Sequence, residues 1–504
     1  MALALISINT HAATPEEISF EVNDFVVEGD SPILKEEIDQ HLQSEEYKKH
    51  TLLSLQKVSK ELERFIRSKG HSFYRVVLPP QTLNNGIINL KLVDFKLSDI
   101  EVSGNQYFES DNIVASLPGL KQGESPNTRD IAEYIKVANR HPAKQVKLMF
   151  KQSQTADSIK ANIVVNDQRP YQASFIMNNT GSKTSGEFRM MGAVQHANMW
   201  NLDHILNGSY TTSPDHMESV QQYGVNYSIP LYKLKSWISA YYAYSNVDNG
   251  VVANDFDVTG AGEMYGIHYL QYLPRIARYE HWLDLGIDNR YFINDIKFLG
   301  TPIGINVRSA PFSAMYKGAY EWPLAKFGFH LQWLKNTDLG GHNTQKYYTA
   351  TRLNSKQNWD VYRYGANIAG NLNRWIFSAK LNGQYANSSL ISGEQIGLGG
   401  SYSVRGYNER ETSADSAEVV NLEIYSPGWK GLSFLSFFDY GHGRKQDVQP
   451  GELKKWTVSS IGLGARWQWK THLQTRVDLA HTLEQAGTTN AGTNRIHASI
   501  ILRY

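Results

Sequence analysis

From Gly399 to Tyr504 the chain carries a Gly-rich loop and then segments in which apolar and polar residues alternate strictly. In the last segment Ile496, Ala498, Ile500, Leu502 and Tyr504 share one face, and Arg495, His497, Ser499 and Arg503 share the other. A strand needs such a period of two when one side meets lipid and the other meets water. A terminal strand cannot leave backbone donors and acceptors unpaired in hydrocarbon, so it must close a barrel. Read back to residue 168, the pattern predicts about sixteen strands between Tyr171 and Ile500, an even number as bacterial barrels use. Tight connections such as Pro230-Leu231-Tyr232 and Pro323-Leu324-Ala325 alternate with long polar ones such as Thr337 to Gln357. The expected fold is mainly β, a transmembrane antiparallel barrel over residues 168–504.

Parity along the late strands sorts side chains into lumen and lipid. In the twelfth segment Val420, Leu422 and Ile424 point outward, so Asn421 and Glu423 point in. In the thirteenth, Phe434, Phe438 and Tyr440 face lipid, leaving Asp439 and Gly441 in the lumen. In the fourteenth, Gly462, Gly464 and Arg466 point inward, opposite Ile461, Leu463 and Trp467. Glu423 and Asp439 are then carboxylates on neighbouring strands of a confined lumen, and they repel unless a cation joins them. The nearest unassigned cation is Arg405, on the loop spanning residues 387–416. We expect that loop to fold into the lumen and Arg405 to pair with both acids, with Tyr407 packed beside the contact and replaceable by another aromatic.

Upstream the period changes. Asp24–Glu28 reads as a strand, Ile33–Leu42 as a helix, and Leu52, Leu55, Val58, Leu62, Phe65 and Ile66 as the buried stripe of a longer helix. Strands at Tyr74–Leu78 and Ile87–Val93 complete the unit, and Pro79-Pro80 ends the first of them. The same order of strand, helix, helix, strand, strand recurs at Leu97–Val102, Asp111–Leu117, Thr128–Asn139, Gln145–Lys151 and Ser158–Val165. Two copies of one supersecondary unit predict a tandem of small α/β domains, at residues 20–95 and 96–167. Their edge strands, carrying Tyr74, Arg75 and Val76 and then Gln145, Val146 and Lys147, could add an extended peptide through main-chain hydrogen bonds. Residues 1–13 resemble the later part of a secretory leader, with Ala2–Ile8 apolar and Thr10-His11-Ala12 small, but no Lys or Arg precedes the run.

Composition narrows the function classes. A net charge of +1 argues against a nucleic-acid partner. No apolar run is long enough for a membrane helix, a test that a barrel escapes. Tyr (29) and Trp (11) are plentiful, as interfacial girdles require. The count of zero cysteines removes thiol chemistry, disulfides and thiolate metal sites. Ser401 lies in Gly-Gly-Ser-Tyr-Ser, which is not a nucleophile elbow, and no phosphate-binding Gly-Lys-Ser/Thr loop occurs. We therefore expect no enzymatic activity, no cofactor and no metal site.

These features together resemble the two-partner secretion transporters, the TpsB family of the BamA-related superfamily. The match rests on Val404-Arg405-Gly406-Tyr407 behind Gly399-Gly400, and on Phe437, Asp439 and Gly441 as the Phe-x-Asp-x-Gly motif of strand 13. Glu423 with Pro427 matches the strand 12 pattern, and Gly462-Leu463-Gly464-Ala465-Arg466 that of strand 14. Lys69-Gly70-His71 with Val77-Leu78-Pro79-Pro80-Gln81, and Asn139-Arg140-His141-Pro142, resemble the periplasmic POTRA domains. The resemblance implies a monomer in contact with outer-membrane lipid, its POTRA domains in the periplasm. It would export a large unfolded partner exoprotein: an adhesin, haemolysin or contact-dependent toxin bearing an N-terminal secretion domain. An assembly factor for barrel proteins is the alternative, although such factors carry more POTRA units. Many members also thread an N-terminal helix through the barrel. Only about Ala13–Ser19 is available here, so that helix is expected to be absent or very short.

Overall fold

The computed structural model describes residues 18–183, 185–247, 250–252, 256–258, 261–294, 297–298, 301–302 and 304–504. The expected leader at 1–13 lies outside them, as does most of the stretch considered for a plug helix. The chain divides into two compact units, one built on the N-terminal α/β elements and one on the barrel.

The N-terminal elements are β1 (Ser19–Val22), β2 (Asp24–Glu28), α1 (Lys35–Leu42), β3 (Lys48–Thr51), α2 (Leu52–Ser68), β4 (Tyr74–Val77) and β5 (Ile87–Asp94). The second set is β6 (Lys96–Ser103), α3 (Ser110–Ala115), α4 (Thr128–Ala138), β7 (Lys144–Gln152) and β8 (Ser158–Asp167). Each set makes a three-stranded sheet with the last strand in the middle and parallel to the first, in the orders β2-β5-β4 and β6-β8-β7. In the first set Leu55, Val58, Leu62 and Ile66 of α2 join Ile38, Leu42, Ile88 and Leu90 in one core. Thr51 caps α2: its hydroxyl accepts from Ser54 N–H, and Ser54 Oγ accepts from Thr51 N–H. This reciprocal cap stops the helix from extending backward. Gly70 follows the helix at φ +101°, a conformation that costs glycine little.

Two details depart from the sequence reading. Leu52 is 61% exposed and not part of the buried stripe, because the core ends at Leu55, one turn inside the capped terminus. β1 and β3 form an additional antiparallel pair, Ser19 opposite Thr51, which no alternation had signalled.

Among the described residues, sixteen strands close the barrel. They are β9 (Tyr171–Asn178), β10 (Arg189–Met199), β11 (His204–Thr212), β12 (Gln222–Leu231), β13 (Ser236–Ser245) and β14 (Gly262–Tyr272). Then come β15 (Tyr279–Phe292), β16 (Pro311–Glu321), β17 (Ala325–Asn336), β18 (Asp360–Leu372) and β19 (Trp375–Ala386). The last five are β20 (Ser416–Tyr425), β21 (Leu432–Arg444), β22 (Lys455–Trp469), β23 (Leu473–Thr482) and β24 (Asn494–Arg503). Val307–Ser309 pairs with the far end of β15 and continues β16 along the same neighbour. β24 closes on β9 from Ser499 opposite Asn178 to Arg503 opposite Ser174, so no edge faces lipid. Exposed Trp200, Trp322, Trp375, Trp429 and Trp469 all lie at or beside the short turns, forming a girdle at that end. The long connection after β17 contains a helix, α5 (Gln345–Thr351), where only a polar loop was expected.

Candidate functional site: a clamped loop inside the barrel

The segment between β19 and β20 is built around a small hairpin in which Ile396–Leu398 pairs with Thr412–Ala414. Its tip presents Val404, Arg405, Gly406 and Tyr407, and the Val404, Arg405 and Tyr407 side chains are buried. Gly406 sits at φ +96°, and a Cβ there would press on the Thr482 methyl. The tight turn therefore needs glycine twice over, for its φ and for space.

Arg405 is 3% exposed and lies against the inner wall. Its Nε donates to Asp439 Oδ2 at 2.7 Å, its Nη2 to Oδ1 at 2.8 Å, and its backbone N–H to Oδ2 at 3.1 Å. Nη1 lies 2.9 Å from Glu423 Oε1 and 3.5 Å from Asp478 Oδ2. The guanidinium stacks 3.5 Å above the centre of the Phe437 ring. A planar, permanently charged fork suits this site, because it can meet one carboxylate with two bonds and an aromatic face at the same time. Gly462 faces Phe437 across the β21–β22 pair, and a Cβ there would collide with the ring that supports Arg405. Gly441 and Gly464 face inward on the same two strands, beside Val404 and Asp478 respectively.

The structure thus brings Arg405, Asp439, Glu423 and Phe437 into one cluster, and other side chains from the inner wall join it. Asn421 Nδ2 donates to Asp439 Oδ1 at 2.8 Å and to the Ser403 carbonyl at 2.7 Å, tying loop to wall. Asp478 receives a bidentate pair from Arg466, at 2.6 and 2.8 Å. His497 Nε2 accepts the Gly406 N–H at 2.9 Å. His497 is on the polar face that parity gave the last strand, and the same alternation along β23 puts Asp478 inward. The Tyr407 hydroxyl donates to the Glu484 carbonyl at 2.7 Å and accepts from Ser459 N–H at 3.2 Å. A phenylalanine at 407 would leave the Ser459 N–H and the Glu484 carbonyl without this partner.

The other candidate residues lie apart, on the α/β sheets. Tyr74 and Val76 are buried and Arg75 is exposed on β4, an edge strand. That edge is not bare. Ser59 Oγ of α2 donates to the Val76 carbonyl at 2.6 Å, and Glu63 accepts the Val76 N–H at 3.3 Å. Gln145, Val146 and Lys147 lie on β7, also an edge strand, with Val146 buried between two exposed neighbours. Just before them is a buried ion pair that the sequence did not signal. Lys144 Nζ donates to Asp203 Oδ2 at 2.5 Å and to Asn112 Oδ1 at 2.9 Å. Burial pulls the Lys144 pKa down, and Asp203 works against that shift. His141 Nε2 meets the Ala197 carbonyl at 2.6 Å, and burial pushes its imidazole down to about 4, keeping it neutral.

The family described as haemolysin secretion/activation protein ShlB/FhaC/HecB matches residues 157–467, and the ShlB-type POTRA domain matches residues 20–94. The chain belongs to this family. Its TpsB relatives include the outer membrane transporter CdiB of Dickeya dadantii (strain 3937), 22% identical over 457 residues, covering 83% of this chain and 75% of that protein. The heme/hemopexin transporter protein HuxB of Haemophilus influenzae (strain Rd) is 21% identical over 433 residues, with the same shares covered. The solved structure of CdiB from Escherichia coli superposes with a TM-score of 0.76 at 16% identity, over 99% of this chain and 93% of that one, which shows the shared fold. The protein is thus an outer-membrane β-barrel transporter of the TpsB family with a periplasmic POTRA region.

Proposed function

We propose that this transporter recognises a large unfolded exoprotein in the periplasm and passes it through the barrel. The observation that carries this reading is the pairing of edge-bearing α/β sheets with a closed barrel whose inner loop is held by charge. An extended segment of cargo would add to β4 at Tyr74, Arg75 and Val76, or to β7 at Gln145, Val146 and Lys147. At Val76 such an addition must displace Ser59 and Glu63 of α2, so binding there competes with an internal contact. The family description, haemolysin secretion/activation protein, supports a secreted protein as cargo. Export needs no bond-making chemistry, and we read the protein as a monomer, in contact with lipid, that is not an enzyme. The assembly-factor alternative is the less supported reading.

Deleting residues 20–95 tests the proposal. The truncated barrel should still insert and remain heat-modifiable, while export of the partner protein to the medium falls to background. Undiminished export at equal surface levels would sink the reading.

A further inference from the structure

The loop that carries Arg405 holds a second buried charge of opposite sign. Glu394, 1% exposed, lies eleven residues before Arg405 and touches a different wall. Its Oε2 accepts from Arg290 Nη1 at 2.8 Å, and its Oε1 accepts from Ser309 Oγ at 2.5 Å. Arg363 Nη2 lies 3.7 Å from Oε2. Arg290 is itself fixed by Asp288, which accepts from its Nη2 at 2.9 Å.

Arg290 is on β15, the seventh strand of the barrel, and Asp439, the main partner of Arg405, is on β21, the thirteenth. In a ring of sixteen, strands six apart stand well separated around the lumen. Eleven residues reach at most about 37 Å when extended, enough to cross a lumen of this class. We propose that the loop is a crossbar over the export path, with Arg405 as one anchor and Glu394 as a latch that must release before cargo passes. The two ends carry opposite charges, so neither can exchange its wall for the other's. A carboxylate buried among guanidiniums is costly to leave unpaired, which gives the closed arrangement its stability. The same latch lets go once water or an incoming chain supplies other partners.

The inference rests on reading the barrel as an export pore, but its test needs no cargo, so the two can fail separately. Full-length protein with Glu394→Gln is reconstituted in planar lipid bilayers beside the unchanged chain. Open probability should rise roughly tenfold, the change that losing one charge-assisted contact of ~1.4 kcal/mol produces. Heat-modifiable migration should stay normal. A folded Glu394→Gln barrel with unchanged conductance would overturn the latch. Should that variant not fold, Ser309→Ala removes a single bond to the same carboxylate and should raise open probability about twofold to threefold. A folded Ser309→Ala barrel as quiet as the unchanged chain would then overturn it. Raised open probability in these variants, together with export that survives deletion of residues 20–95, would count against the export reading and leave the latch standing.

Discussion

The α/β unit and the barrel bury opposite kinds of residue. In the first, Leu62 is fully buried. In the second, Leu463 is 66% exposed on the outer wall while Asp439 is 0% exposed within. One rule produces both. Apolar side chains leave water: in the periplasm they can only turn inward, whereas in a bilayer they can turn outward to the acyl chains. The barrel interior is therefore left to polar groups, and its cohesion depends on charge pairing. A charged cluster is strong when complete and costly when broken at one place.

The largest break of this comparison should come from the clamp. Removing Arg405 leaves Asp439 buried without its cation, and removing Asp439 leaves Arg405 with only Glu423 and Asp478, a cost of up to about 3–5 kcal/mol. Arg405→Ala and Asp439→Ala should each leave an assembled barrel whose loop is released, seen as protease cleavage within 387–416 and lost export. The double variant should be little worse than either single one, because partners in contact do not add. Fully additive defects would mean that the two residues act apart.

A second prediction sharpens the contrast between the two solvents. Leu62→Ala should destabilise the isolated 20–95 segment by about 2–5 kcal/mol in urea melts, through a cavity in its core. Leu463→Ala removes the same atoms from a lipid-facing position, where leucine contributes only about 0.3–0.6 kcal/mol, so barrel yield should barely change. Equal losses at the two sites would contradict the face assignment. The smallest effect tests the tip of the loop. Tyr407→Phe deletes one hydroxyl that serves the backbone of buried Ser459 and of Glu484, a cost of about 1–3 kcal/mol. Loop protection from proteolysis should fall measurably while the barrel keeps its full heat stability.

Much of the architecture could be read locally. Lipid imposes a period of two on every spanning strand, and the count of sixteen follows from that repeat, as does the closure of the last strand on the first. Parity also puts Asp439 and Glu423 on the inner face, because a strand allows a side chain only two directions. The same logic failed where no period exists. Leu52 fits the stripe of α2 but lies beyond its core, and the short β1–β3 pair leaves no alternation long enough to notice.

What the sequence by itself determined is the barrel, the tandem α/β units and the inward acids, since each depends on residues two to four apart. Only the tertiary structure decided how the loop is held. Arg405 and Asp439 are 34 positions apart, and Glu394 and Arg290 are 104 apart. Which of many lumenal charges meet is set by closure of the barrel and by where the hairpin tip comes to rest. A charge in an aperiodic loop carries no local sign of its partner, so Glu394 looks like any solvated carboxylate until the opposite wall is in place.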